Sequence, residues 1–98
     1  MMRHIVVLRW SDEATASQKR AAEAGFAALP ESIPQIRALR CGPDLGLGPG
    51  NHDFAAELDF DTVEDWRAYQ ESPAHKDFVT RTLKPILAGR AAIQFDAG

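Results

Sequence analysis

His75 is the residue of this sequence best suited to proton transfer. It heads an apolar stripe that continues through Phe78 and Leu83 at helical spacing, so its imidazole is predicted to face the core. A histidine has an ordinary pKa of about 6.5, and desolvation keeps it neutral at pH 7, ready to act as a general base. The alternative is a buried histidine that bonds a backbone carbonyl and only fixes the chain at Pro73.

Two further polar side chains are predicted to accompany His75. Tyr69 is the sole tyrosine of the chain, and its hydroxyl either polarises a carbonyl or is satisfied by the protein itself. His4 shares strand parity with Val6 and Leu8, so it enters the same pocket if that set faces the helices, and a dimer interface if the register is reversed. The chemistry predicted for an enzyme is proton transfer next to a carbonyl, with His75 as base and the other two as hydrogen-bond donors to the oxygen.

The other chemical signals in the sequence have structural interpretations. Cys41 lies in a predicted strand without a cationic neighbour and is interpreted as a small hydrophobe. The glycine-rich segment 46–50 leads into a strand and lacks the lysine of a phosphate-binding loop. The acidic residues of segment 59–65 fit helix capping, and His52 is predicted at the pocket rim or in solvent. No three histidines or carboxylates have metal spacing, so neither a metal nor a cofactor is predicted.

The elements that must position these residues follow the order strand, helix, strand, strand, helix, strand. Hydrophobic periodicity predicts strands over 2–10, 35–42, 53–60 and 91–96. The first helix is predicted from residue 11 to about 32, ended by Pro30 and Pro34. The second is predicted to begin with a capping box at Asp61, to break at Pro73 and to stop at Gly89. This order predicts a single α+β domain over residues 1–98, a ferredoxin-like βαββαβ fold with a four-stranded antiparallel sheet.

The sheet face that the helices leave open is predicted to be an interface. Ile5 and Val7, together with either Ala92 or Ile93 of the last strand, put apolar surface on that face. A chain of 98 residues buries only about two-thirds of its unfolded surface, so a partner subunit is a natural way to bury more. A two-fold homodimer with its sheets face to face is therefore predicted.

Composition limits the other partners. The chain carries 11 Lys or Arg against 14 Asp or Glu, a net charge of −3, and its isoelectric point is near 5.5. This balance argues against a nucleic acid or an anionic membrane as partner. No apolar run approaches the ~20 residues of a membrane span, and the single cysteine cannot pair within the chain, so a cytoplasmic location is predicted.

The run from Tyr69 to His75, with its Pro-x-His element, is the most specific motif of the chain. Together with the opening strand at 3–10, the Gly42-Pro-Asp44 turn and Asp59-Phe60-Asp61, it resembles the stress-responsive A/B barrel, or Dabb, domain family. The resemblance implies a dimeric α+β barrel whose subunits each have a pocket between sheet and helices, and our interpretation is that this pocket holds a small, partly apolar ligand. Some relatives are polyketide cyclases that use neither a metal nor an organic cofactor. The resemblance puts His75 at the position of their base, Tyr69 at that of its phenolic partner and His4 at that of a pocket histidine.

Two other functions remain open beside the cyclase-like one. Many members of the family carry a second histidine where Ser72 stands here, and this difference favours a non-catalytic ligand-binding or stress-protection module. Haem-degrading monooxygenases share the dimeric ferredoxin-like barrel, and on that analogy alone a histidine would have to ligate iron.

Overall fold

Four strands form one antiparallel sheet in the computed structural model, which describes residues 1–98. In chain order they are β1 (Met2–Trp10), β2 (Ala38–Pro43), β3 (Phe54–Phe60) and β4 (Leu87–Asp96). Their spatial order is β2-β3-β1-β4, which leaves β2 and β4 at the edges. With helical segments between β1 and β2 and between β3 and β4, this is the predicted ferredoxin-like α+β fold.

The first helix, α1 (Ala16–Ser32), begins later than predicted because a capping box sets its start. The Thr15 hydroxyl accepts from the Gln18 amide, and the Gln18 side chain accepts from the Thr15 amide. The predicted end at about residue 32 is confirmed, although Pro30 itself lies inside the helix, in its last turn. Its missing N–H costs a single helical bond, and the Ile33 N–H still bonds the Leu29 carbonyl at the end of the helix.

The second helical region breaks at Ser72, as predicted, into α2 (Val63–Glu71) and α3 (Pro73–Phe78). The predicted cap at Asp61 is wrong by one residue, because the Thr62 hydroxyl accepts from the Asp65 amide while Asp61 pairs with Arg37. Beyond α3 the chain continues through a wider π-type turn (Val79–Leu83) and a 3₁₀ turn (Lys84–Ile86). None of these helices combines the length and apolarity needed to cross a membrane.

β4 begins at Leu87, four residues earlier than the predicted start at Ala91, and the helix does not continue to Gly89. The cause is long-range pairing, because β1 pairs with β4 along its whole length, from Met2 opposite Asp96 to Trp10 opposite Leu87. This earlier start adds residues 87–90 to the sheet. The predicted bounds of the two middle strands, 35–42 and 53–60, differ from the observed ones by three residues or fewer.

The two faces of the sheet differ in composition. The even-numbered residues of β1 are buried beneath the helices, and all of them except His4 join a hydrophobic core of 17 residues. The odd-numbered ones face the open side, where Ile5 lies opposite Ile93 and Val7 opposite Ala91. Of the two β4 residues considered from the sequence, Ile93 and not Ala92 therefore lies on the open face.

Candidate functional site

A cavity of about 220 Å³ lies between the sheet and the helical layer. Its wall is mostly apolar, but three of the residues that line it are those the sequence singles out for acid-base chemistry: His4, Tyr69 and His75. The remaining lining residues are Val6, Leu8, Phe26, Gln70, Val79, Leu83, Leu87 and Arg90. The structure thus brings a strand residue and two helix residues to one cavity.

The break between α2 and α3 places Tyr69 against His75. Tyr69 lies in the last turn of α2, where its carbonyl accepts from the Ser72 amide at 3.1 Å. Pro73 begins α3, since a proline is well tolerated in the first turn of a helix, and brings His75 back towards the cavity. The two rings lie with centroids 4.3 Å apart and planes tilted by 44°.

His75 is held as a neutral imidazole. Burial lowers its pKa, the backbone of Gln70 opposes that shift by favouring the protonated ring, and the positive charge of Arg90 lowers the pKa further. Its Nδ1 atom is buried and makes no hydrogen bond within the protein. Because Nδ1 is closed off, Nε2 is the ring atom that a ligand in the cavity can reach.

Tyr69 is held as a neutral phenol. Its side chain is 2% exposed, and burial raises its pKa to about 12, although Arg90 acts in the opposite direction. The Tyr69 ring packs against Phe60 of β3 with centroids 5.2 Å apart, and this contact holds the ring between α2 and the sheet. A phenol of this kind donates a hydrogen bond to a ligand oxygen and does not ionise near neutral pH.

His4 enters the cavity from the middle of the sheet, with its ring centroid 6.0 Å from that of Tyr69. Its Nδ1 lies 2.9 Å from the side-chain amide nitrogen of Gln94, and when that nitrogen donates to Nδ1 the proton of the neutral ring is on Nε2. Burial lowers its pKa to about 4, helped by the charge of Arg90 and by His75. His4 is therefore a neutral hydrogen-bond donor at pH 7.

Two polar cavity residues, Gln70 and Arg90, are absent from the sequence prediction, and so is Gln94, which contacts His4 from β4. Arg90 and Gln94 are even-numbered residues of β4, and they lie opposite Leu8 and His4 on the helix-side face. Their shared parity is the sequence pattern that could have identified them. The predicted strand began at Ala91, so Arg90 fell outside it. Gln70 follows Tyr69 in α2 and has no sequence pattern that marks it as a cavity residue.

The other residues singled out by the sequence lie elsewhere. His52 is half-buried and lines a separate depression of about 540 Å³ on the open side, beneath the loop that follows β2. Cys41 is exposed on β2, and partial burial of its thiol together with Glu23 raises the pKa of that group. No cluster of three His, Cys, Asp or Glu side chains is arranged to hold a metal ion.

The stability of the fold should depend on the protonation of His4. Its pKa is about 4 in the folded chain and 6.5 in the unfolded chain, so the unfolded state binds the proton first as the pH falls. The contribution of His4 to the free energy of unfolding is therefore complete only above pH 6.5. As the pH falls towards 4, the free energy of unfolding decreases by up to about 3 kcal/mol because of this group. Urea unfolding between pH 7.5 and 5 measures it, and the decline should be shallower in His4→Asn. An equal decline in parent and variant would contradict the assignment.

Comparisons with known proteins agree on one family and one fold. A model of the stress responsive A/B barrel domain family matches residues 2–97. No curated protein matches the chain significantly. Among solved structures, a dimeric ferredoxin-like protein from Thermobifida fusca is 39% identical with a TM-score of 0.87, over 96% of this chain and 88% of that one. A hydroxynitrile lyase from Passiflora edulis is 22% identical with a TM-score of 0.85, over 96% of this chain and 90% of that one.

Proposed function

This chain belongs to the stress-responsive A/B barrel domain family, and from that premise we propose that it is a cofactor-independent acid-base catalyst acting on a small, partly apolar carbonyl compound. One observation carries the proposal: the ring of a neutral, desolvated His75 lies 4.3 Å from that of Tyr69 in a mostly apolar cavity. A neutral imidazole beside a phenol donor is the pair that proton transfer next to a carbonyl requires.

The proposed step moves one proton. The lone pair on Nε2 of His75 accepts a proton from the carbon next to the carbonyl, and the electron pair of that C–H bond shifts towards the carbonyl oxygen. The Tyr69 hydroxyl and the Nε2–H of His4 donate hydrogen bonds to the developing oxyanion. His75 then returns the proton to carbon. In a cyclisation the enolate carbon instead attacks a second carbonyl of the same molecule, the π bond of that carbonyl breaks, and the alkoxide formed takes the proton from His75.

The size and polarity of the cavity limit the ligand. A cavity of about 150 Å³ is enough for benzene, so about 220 Å³ admits one ring with a short substituent. The five aliphatic side chains of the wall and Phe26 favour an apolar body. The Passiflora edulis protein shares the fold and is a hydroxynitrile lyase, which supports the use of this architecture by an enzyme.

We also propose that the chain assembles as a homodimer through the open sheet face. Ile93 and Phe95 of β4 are 58% and 42% exposed there, next to Ile5 of the central strand. The Thermobifida fusca protein is described as dimeric. An isologous pairing of two such faces would cover the apolar side chains of both copies.

Exchange of the methyl protons of acetophenone in deuterated buffer tests the catalytic proposal. Acetophenone has one ring, one carbonyl and acidic protons beside it, so it fits both the cavity and the chemistry. We expect the parent protein to accelerate the loss of the methyl signal in proton NMR, with a rate that saturates in acetophenone. Saturable binding without any acceleration would overturn the catalytic proposal.

That outcome would support the second candidate function, a non-catalytic ligand-binding module. The observation that favours this candidate is Ser72, which stands where many members of the family carry a second histidine. Its side chain makes no capping hydrogen bond at the start of α3 and supplies no base.

Tyr69→Phe is expected to lower the exchange rate by about tenfold to a hundredfold, because it removes one donor to the oxyanion. The phenyl ring keeps the contacts with Phe60 and His75, so the melting temperature should change little. Saturation kinetics of acetophenone exchange measure the effect, which should fall on kcat more than on KM. An unchanged kcat would show that the hydroxyl does not stabilise the oxyanion.

A further inference from the structure

Arg90 is the one side chain of the cavity wall that is ionised at neutral pH. It lies on the edge strand β4 directly opposite Leu8, a pairing that puts it on the helix-side face. The other titratable groups on the wall, His4, Tyr69 and His75, are neutral there for the reasons given above. The wall contains no carboxylate, so the cavity carries one uncompensated positive charge.

The guanidinium of Arg90 also has no partner within the protein. On the opposite face of the same sheet, Arg3 pairs with Asp59 and Arg40 pairs with Glu57, whereas Arg90 takes part in no ion pair and donates no side-chain hydrogen bond. The side chain is exposed, so it lies where the cavity meets solvent. Its charge acts on His4, Tyr69 and His75 alike, which places it within electrostatic reach of all three.

Building on the proposed function, we propose that Arg90 selects ligands that carry a carboxylate, so that the substrate class is a small oxo acid with an apolar body. The carboxylate would meet the guanidinium at the edge of β4, and the carbonyl would lie deeper, beside Tyr69 and His75. A guanidinium presents two parallel N–H groups that match the two oxygens of a carboxylate.

The position of Arg90 suits this role energetically. An anion placed among the neutral histidines alone would lose its hydration without a countercharge, which is costly. At the solvent-exposed end of the cavity the anion keeps part of its hydration and gains a charged partner. The apolar wall formed by Leu8, Leu83 and Leu87 remains for the body of the ligand.

Binding of benzoate and of benzamide tests the proposal without any catalytic step. The two molecules have nearly the same shape and differ in charge, and neither has a proton on the carbon next to its carbonyl. We expect the parent protein to bind benzoate about tenfold more tightly than benzamide at low ionic strength, by NMR titration. High salt should reduce that preference.

Arg90→Gln should abolish the preference for benzoate, whereas Arg67→Gln should retain it. Arg67 is an exposed arginine of α2 that makes no ion pair and does not line the cavity, so it is the matched control for net charge. Equal binding of the two ligands by the parent, or a preference that survives Arg90→Gln, would overturn the assignment. Either result would leave acetophenone exchange intact, whereas a benzoate preference without exchange would overturn only the acid-base proposal.

Discussion

His75→Gln is expected to lower the rate of acetophenone exchange by about 10²–10⁴-fold, because it removes the general base and keeps a polar side chain of similar length. The loss should appear in kcat, since glutamine still occupies the cavity wall and acetophenone still binds. Saturation kinetics in deuterated buffer measure both constants. The matched control is His52→Gln, which changes a half-buried histidine outside the cavity and should keep the parental rate.

The pH dependence of the parent protein gives a second readout of the same group. The base must be neutral, and burial lowers the pKa of His75 below its ordinary value. The exchange rate should therefore remain high at pH 6.5 and fall only at more acidic pH. A parental rate in His75→Gln would exclude His75 as the base, and a fall centred above pH 6.5 would contradict its desolvation.

The type and order of the elements were predictable because they depend on local periodicity. The alternation in Phe54, Ala56, Leu58 and Phe60 marks a strand with one buried face, and the structure buries those four side chains. The element boundaries were less predictable. The start of β4 depends on the length of β1, a partner more than 70 residues away in sequence, and local propensity contains no information about that pairing.

The candidate site was predictable to the same extent. Parity along β1 placed His4 with the buried set, and helical spacing turned His75 inward, so both residues reach the cavity. Arg90 and Gln94 depend on the register between β1 and β4, which sequence parity alone could not establish. Sequence reasoning therefore missed Arg90, which is proposed to select charged ligands, and Gln94, which contacts His4.

A charge placed on the open sheet face is expected to prevent dimer assembly. Ile93→Asp is expected to convert the proposed homodimer into a folded monomer of 10.8 kDa. In an isologous interface the substitution buries two unpaired carboxylates, one from each copy, which should raise the dissociation constant by about a thousandfold or more. Sedimentation equilibrium at micromolar concentration measures the mass, which should be twice 10.8 kDa for the parent chain.

Position 93 separates loss of assembly from loss of folding. Ile93 is 58% exposed in the isolated chain, so an aspartate there costs the monomer little, whereas a charge at the half-buried Ile5 would strain the sheet itself. The control is Val63→Asp, which adds the same charge at an exposed apolar residue at the start of α2, on the helical side, and should stay dimeric. If Ile93→Asp sediments as a dimer like the control, the proposed interface is wrong, because that interface covers Ile93 together with Ile5, which lies opposite it in β1.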